Sequence, residues 1–233
     1  MTTGRVNPLR SVLAIIVVLQ LAVGGTLAVR EFTEPSVFKA ADRLGESNAL
    51  PLTIESGYPA AKKIAFDWSS DAQLFAVSMQ IDWPLSVDPQ SPIMVAPGGW
   101  IAYTFFRPGG NAGKQGTLSL FYERTSGVLV QDRIVAWPRE EVVTALDPMK
   151  SPISSASAVM AIEARKGRSW RFDCPVNRHL TRISLTANTN GMPVWVVTYA
   201  DSLTDRAGLL AHVDAQSGEI TRLEVRTEAC DPA

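Results

Sequence analysis

Histidine is scarce in this chain: His179 and His212 are the only two among 233 residues. General acid–base chemistry near neutral pH therefore has few ready agents. Cysteine is as scarce, with Cys174 and Cys230 alone, and no two of these four residues stand at the short spacing of a zinc-ligand pair. No Gly-x-Ser-x-Gly elbow occurs. The glycines of "RPGGNAGKQG" join two strand-like runs and do not open onto a helix, so they make no phosphate cradle. An excess of one charge is also missing: 22 basic against 23 acidic residues give a net charge of -1, which argues against a nucleic-acid-binding body. The chain thus reads as a protein without catalytic, cofactor or metal residues.

What is present begins with a run from Val12 to Val29 that carries no charge, preceded by Arg5 and Arg10 and closed by Arg30 and Glu31. As a helix it would cover about 27 Å, close to a hydrocarbon core of about 30 Å. The flanking arginines place the N-terminus in the cytoplasm and the body outside. The expectation is a single-pass anchor in the inner or plasma membrane, over residues 1–30, with an extracytoplasmic body. A cleaved signal peptide with a small-residue site at Thr26 to Ala28 is the rival reading, and it exports the body equally. In an oxidising compartment Cys174 and Cys230 are candidates for one disulfide; two buried thiols are the alternative.

The body repeats itself. "FYERTSGVLVQDRI" (121–134) and "HVDAQSGEITRLEV" (212–225) both alternate apolar and polar residues around Ser-Gly, as a hairpin requires. Aromatic runs "WIAYTF" (100–105) and "VWVVTY" (194–199) precede them, then "QLFAVSM" (73–79) and "HLTRISL" (179–185), then helix-compatible "YPAAKKIAFDW" (58–68) and "SSASAVMAIEAR" (154–165). The order predicts an α+β fold of two tandem units, each a helix packed on its own antiparallel sheet. The expected divisions are a stalk over 31–56, a first unit over 57–136, a linker over 137–152, a second unit over 153–229 and a tail over 230–233. Inward positions should include Leu74, Val77, Ile101, Tyr103, Leu118, Leu120, Ile183, Trp195, Val197 and Leu209.

The second hairpin, through Val213, Asp214, Ala215, Ser217, Gly218 and Glu219, resembles the PepSY domain. The first departs from it, with Glu123 and Arg124 in place of Asp-Ala. Anchored proteins with paired units of this kind also resemble regulators of cell-wall elongation and of kinases. The resemblance implies extracytoplasmic regulation through protein contact, and it brings no catalytic residues.

Two stretches are candidates for binding a partner. "ARKGRSWRF" supplies Arg165, Lys166, Arg168, Trp170 and Arg171, suited to lipid headgroups, an anionic polymer or an acidic protein; the plainer reading is a solvated helix end, where positive charge is favourable. The insertion over 80–99 holds Trp83, Ile93 and Met94, either as a binding loop or as a cover for a sheet edge. The function expected is non-catalytic binding and modulation of another envelope or membrane protein. An accessory subunit of a membrane complex and an envelope hydrolase built on His179 or His212 are the alternatives.

Overall fold

A computed structural model describes residues 50–84, 92–96, 98–108, 115–136, 143–173, 178–201 and 207–226. Helix α1 spans Ile54–Trp68. It starts four residues before the expected Tyr58 because Thr53 and Ser56 form a reciprocal cap. Ser56 N–H donates to Thr53 Oγ1 at 3.1 Å, and Thr53 N–H donates to Ser56 Oγ at 2.9 Å, satisfying two donors that a helix start leaves free. Tyr58, Ala61 and Ala65 then fall on one face and are buried.

Helix α2 spans Ser155–Ile162, capped by Ser154, whose Oγ accepts from Ser157 N–H. It runs into a π-turn over Glu163–Gly167 and then α3, Arg168–Asp173. The strands are β1 (Gln73–Pro84), β2 (Trp100–Arg107), β3 (Gly116–Glu123), β4 (Leu129–Ala136), β5 (Arg178–Ala187), β6 (Pro193–Asp201), β7 (Ala207–Asp214) and β8 (Ile220–Val225).

All eight strands belong to one antiparallel sheet in the order β4-β3-β2-β1-β5-β6-β7-β8. This corrects the expected architecture. The chain is not two tandem units with a helix on each sheet, because β1 pairs with β5 from Val77↔Leu185 to Pro84↔Arg178 and fuses both meanders into a single sheet. Among the described residues no helix is long and apolar enough to cross a membrane. The run from Val12 to Val29, Cys174 and Cys230 lie outside the described residues, so the structure supplies neither the expected anchor nor the expected disulfide.

The register gives the sheet an approximate two-fold axis. Tyr122, Ile101 and Met79 lie abreast across β3, β2 and β1, and Val213, Trp195 and Leu185 lie abreast at the matching places on β7, β6 and β5. Met79 then pairs with Ile183, and Leu185 with Val77. The pair left at the centre is Ser78↔Ser184, so the axis passes between these two residues.

One side of the sheet is sealed. Leu74, Val77, Met79, Ile101, Tyr103, Phe105, Leu118, Leu120, Ile183, Leu185, Trp195, Val197 and Leu209 are buried in one core with the apolar faces of α1 and α2. A fully buried side chain of this size contributes about 2 to 3 kcal/mol. Aromatic donors also pin both helix starts: Tyr103 Oη–H donates to Ile54 O at 2.7 Å, and Trp195 Nε1–H to Ile153 O at 2.8 Å. A further bond joins the halves, since the Glu55 carboxylate accepts from Ser155 N–H and Ser155 Oγ–H at the mouth of α2.

Candidate functional site

Alternation along the strands places the remaining side chains on the opposite side. A row at the middle of that side runs Gln131, Phe121, Ala102, Ser78, Ser184, Val196, His212 and Arg222 from edge to edge. The next row runs Glu123, Trp100, Gln80, Arg182, Thr198, Leu210 and Glu224. From Phe121 to Val196 the middle row is uncharged. Trp100 and Phe121 form an aromatic pair with ring centroids 6.3 Å apart, and Arg182 Nε–H reaches Gln80 Oε1 at 3.5 Å. Among the described residues no helix packs on this side, and Ser78, Gln80, Phe121, Arg182, Ser184, Val196 and His212 retain partial exposure. Both edge strands carry charge, Asp132 and Arg133 on β4 and the Arg222–Glu224 pair on β8, which blunts them against pairing with a further strand.

His212 sits on this open face between Val196 and Arg222. Burial, then Arg222, lowers its pKa from the ordinary histidine value. Its cross-strand neighbours are neither a carboxylate nor a nucleophile. His179 lies on β5, but its side chain is outside the described residues.

The insertion is anchored by a residue that the sequence does not flag. Arg124, in the β3–β4 turn, is fully buried. Its guanidinium donates to Leu52 O (3.1 Å), Met94 O (3.0 Å), Ala96 O (3.0 Å) and Gly98 O (2.8 Å). Burial pushes its pKa down to about 10, against a raising effect of Asp82, so it stays charged at neutral pH. The matching turn in the other half has Ala215, whose N–H donates to Pro193 O and whose carbonyl accepts from Ile153 N–H, as the Arg124 backbone does with Gly99 O and Leu52 N–H, but with no side chain to reach further. There β5 and β6 are joined by a short turn at Asn188–Met192. Arginine replaces alanine where the long β1–β2 connection needs its carbonyls gathered. In the sequence the position shows only as the departure at Glu123-Arg124 from the hairpin of the second half, with nothing to mark it as buried.

A second buried polar group lies under the π-turn. The carboxylate of Glu163 accepts from Arg171 Nη2–H and Nε–H and from Tyr199 Oη–H, with Trp170 edge-on to Tyr199 at 5.9 Å. Burial, then Glu163, raises the Tyr199 pKa well above its ordinary value. Gly167 closes the arrangement: a Cβ there would stand 2.8 Å from both Glu163 Oε1 and Tyr199 Oη.

These placements divide the expected partner-binding residues. Trp170 and Arg171 are buried in the core and ion pair, while Arg165 and Arg168 are exposed and Lys166 is half-buried. Ile93 is buried and Met94 half-buried at the foot of the β1–β2 connection, in a short 3-10 turn over Ile93–Val95. The side chain of Trp83 is outside the described residues. Sequence reasoning did not single out the open-face residues Ser78, Trp100, Phe121, Ser184 and Val196, and it named His212 only for the hydrolase alternative. No match to this chain is found among known protein families, characterised proteins or solved structures.

Proposed function

We propose that this is a non-catalytic, extracytoplasmic protein that binds and modulates another envelope protein through the open face of its sheet. The observation that carries this reading is that, among the described residues, no helix packs on the second side of the sheet, whose two middle rows, apart from Ala102, keep partial exposure while Phe106, Leu180 and Ala200 nearer the strand ends of that side are buried. Seven strand spacings of about 4.8 Å give a face roughly 34 Å wide, and strands about 20 Å long give it an area on the order of 700 Å². That is close to the roughly 800 Å² that each partner contributes to a standard protein–protein interface. The aromatic pair Trp100 and Phe121 offers the kind of rigid apolar anchor that concentrates binding energy. Charged edges direct contact to the face. The envelope location rests on the sequence, where basic residues precede the apolar run from Val12 to Val29. The PepSY resemblance supports regulation by contact.

Photo-crosslinkers placed at Val196 and at Phe121 in intact cells, with Lys63 on the helical side as control, test this. One protein captured from both face positions and absent from Lys63 is the expected result. Capture that is no greater from the face than from Lys63 would remove the reading.

A further inference from the structure

The chain crosses between the two halves of the sheet once, and the crossing narrows to three residues. On one side Leu146 N–H donates to Leu74 O at 2.8 Å, and Asp147 meets Lys62 at 4.0 Å, which ties residues up to 147 to the first half. On the other side Ser151 Oγ–H and Ile153 N–H both donate to Ala215 O, which ties residues from 151 onward to the second half. Pro148, Met149 and Lys150 between them form a turn in which Pro148 is buried and Met149 and Lys150 are exposed. The turn is held by Lys150 N–H to Asp147 O, by Met149 N–H to Asp147 Oδ1 and by the Lys150–Asp147 ion pair.

Among the described residues, the β1–β5 ladder, the Glu55 carboxylate on Ser155 and the Arg182 to Gln80 bond join the halves, each between residues of different halves. None of these depends on which copy of the chain supplies the second half. We propose that a second copy of this chain is a partner for this junction. Two chains open at Met149–Lys150, exchange their β5–β8 halves, and form a closed dimer in which each junction is rebuilt between chains, at the loss of the turn's own contacts and of the burial of Pro148. A short hinge is the setting in which such exchange arises.

A short linker holds the halves at a millimolar effective concentration. The dimer share on refolding should therefore rise from roughly a thousandth at about 1 µM to a comparable share at about 1 mM. Val77, Met79, Ile183 and Leu185 are buried in the junction, so exchange requires opening it, and the dimer once formed should persist through gel filtration.

The test uses the full chain in mild detergent, with Cys174→Ser and Cys230→Ser in every copy. Ser78→Cys is placed in one tagged copy and Ser184→Cys in another. Cross-strand neighbours bring their Cβ atoms within about 5.5 Å, a span a short thiol crosslinker bridges. The two copies are unfolded together, refolded at both concentrations, separated by size and crosslinked. A single chain carrying both cysteines, which should link internally as a monomer, controls for folding. The expected result is an adduct of the two tags confined to the dimer fraction. Deleting Met149 and Lys150 should enrich that fraction even at about 1 µM. Absence of a dimer at both concentrations, or a dimer without the 78–184 adduct, would overturn the proposal.

Discussion

Replacing Arg124 with alanine exposes how the insertion is held. Four carbonyls, of Leu52, Met94, Ala96 and Gly98, converge on one fully buried guanidinium. A hydrogen bond to a charged group is worth about 1.5 to 3 kcal/mol, yet burying the cation opposes part of that gain. Truncation also takes this donor from the carbonyls of Leu52, Met94 and Ala96, while Gly98 O keeps the N–H of Asp82 at 3.4 Å. The expected net loss is about 4 kcal/mol, against a total stability of about 5 to 15 kcal/mol for a domain. At about 2 to 4 °C per kcal/mol for a chain of this size, the melting temperature should fall by roughly 10 °C.

Arg124→Lys, with a point charge that cannot reach all four acceptors from one fork, should recover about half of this. The deficit should not change between pH 5 and pH 8. The folded pKa of Arg124 is lowered to about 10 from a higher unfolded value, so both states carry the proton below about 10, and only above it does the cost of burying the charge begin to lift. Calorimetry with urea titration measures the loss, and proteolysis within residues 92–99 reports on the loop. A loss under about 1 kcal/mol with an unaltered cleavage rate would refute the clamp.

Glu163→Gln should strip the buried Arg171 of its counter-charge and cost about 3 to 5 kcal/mol, while Tyr199→Phe costs about 1 kcal/mol; a double-mutant cycle by urea unfolding should show the two effects coupled. Gly167→Ala should destabilise although alanine is the better helix former, because its Cβ would press on Glu163 and Tyr199; an unchanged melting temperature would contradict this. Asp214 accepts the N–H groups of Gln216 and Ser217, which lowers its pKa below the usual carboxylate range. Its support for the β7–β8 turn is therefore complete above about pH 4 and lost as pH falls through the lowered value, and hydrogen exchange at Gln216 and Ser217 should quicken there. Val196→Arg on the open face should leave stability within about 0.5 kcal/mol while abolishing crosslinking from Phe121.

The strand content was legible because period-2 alternation is local. The ten inward residues expected from it, from Leu74 to Leu209, are all buried. The joining of the halves was not legible. Pairing of β1 with β5 depends on residues about a hundred positions apart, and no local signal records such a contact. β1 also continues through "QIDWP" into what reads as the start of an insertion. Arg124 looks like an exposed turn charge because its acceptors are main-chain oxygens, which no side-chain pattern reveals. Gly167 in "ARKGRSW" has the appearance of a helix stop, and instead the helix continues through a π-turn into α3. Trp170 and Arg171 are thereby buried, and two of the five residues expected to form a basic binding stretch become part of the interior.

The axis at Ser78 and Ser184 has a consequence for recognition. A surface that repeats after half a turn offers an asymmetric visitor two seats of nearly equal fit, facing opposite ways. Here the repeat is imperfect where it matters. The register sets Phe121 against His212, Trp100 against Val194 and Gln131 against Arg222. One flank is aromatic and the other carries an imidazole beside the Arg222–Glu224 ion pair, so the face has a direction, and the proposed partner would have one way round to lie.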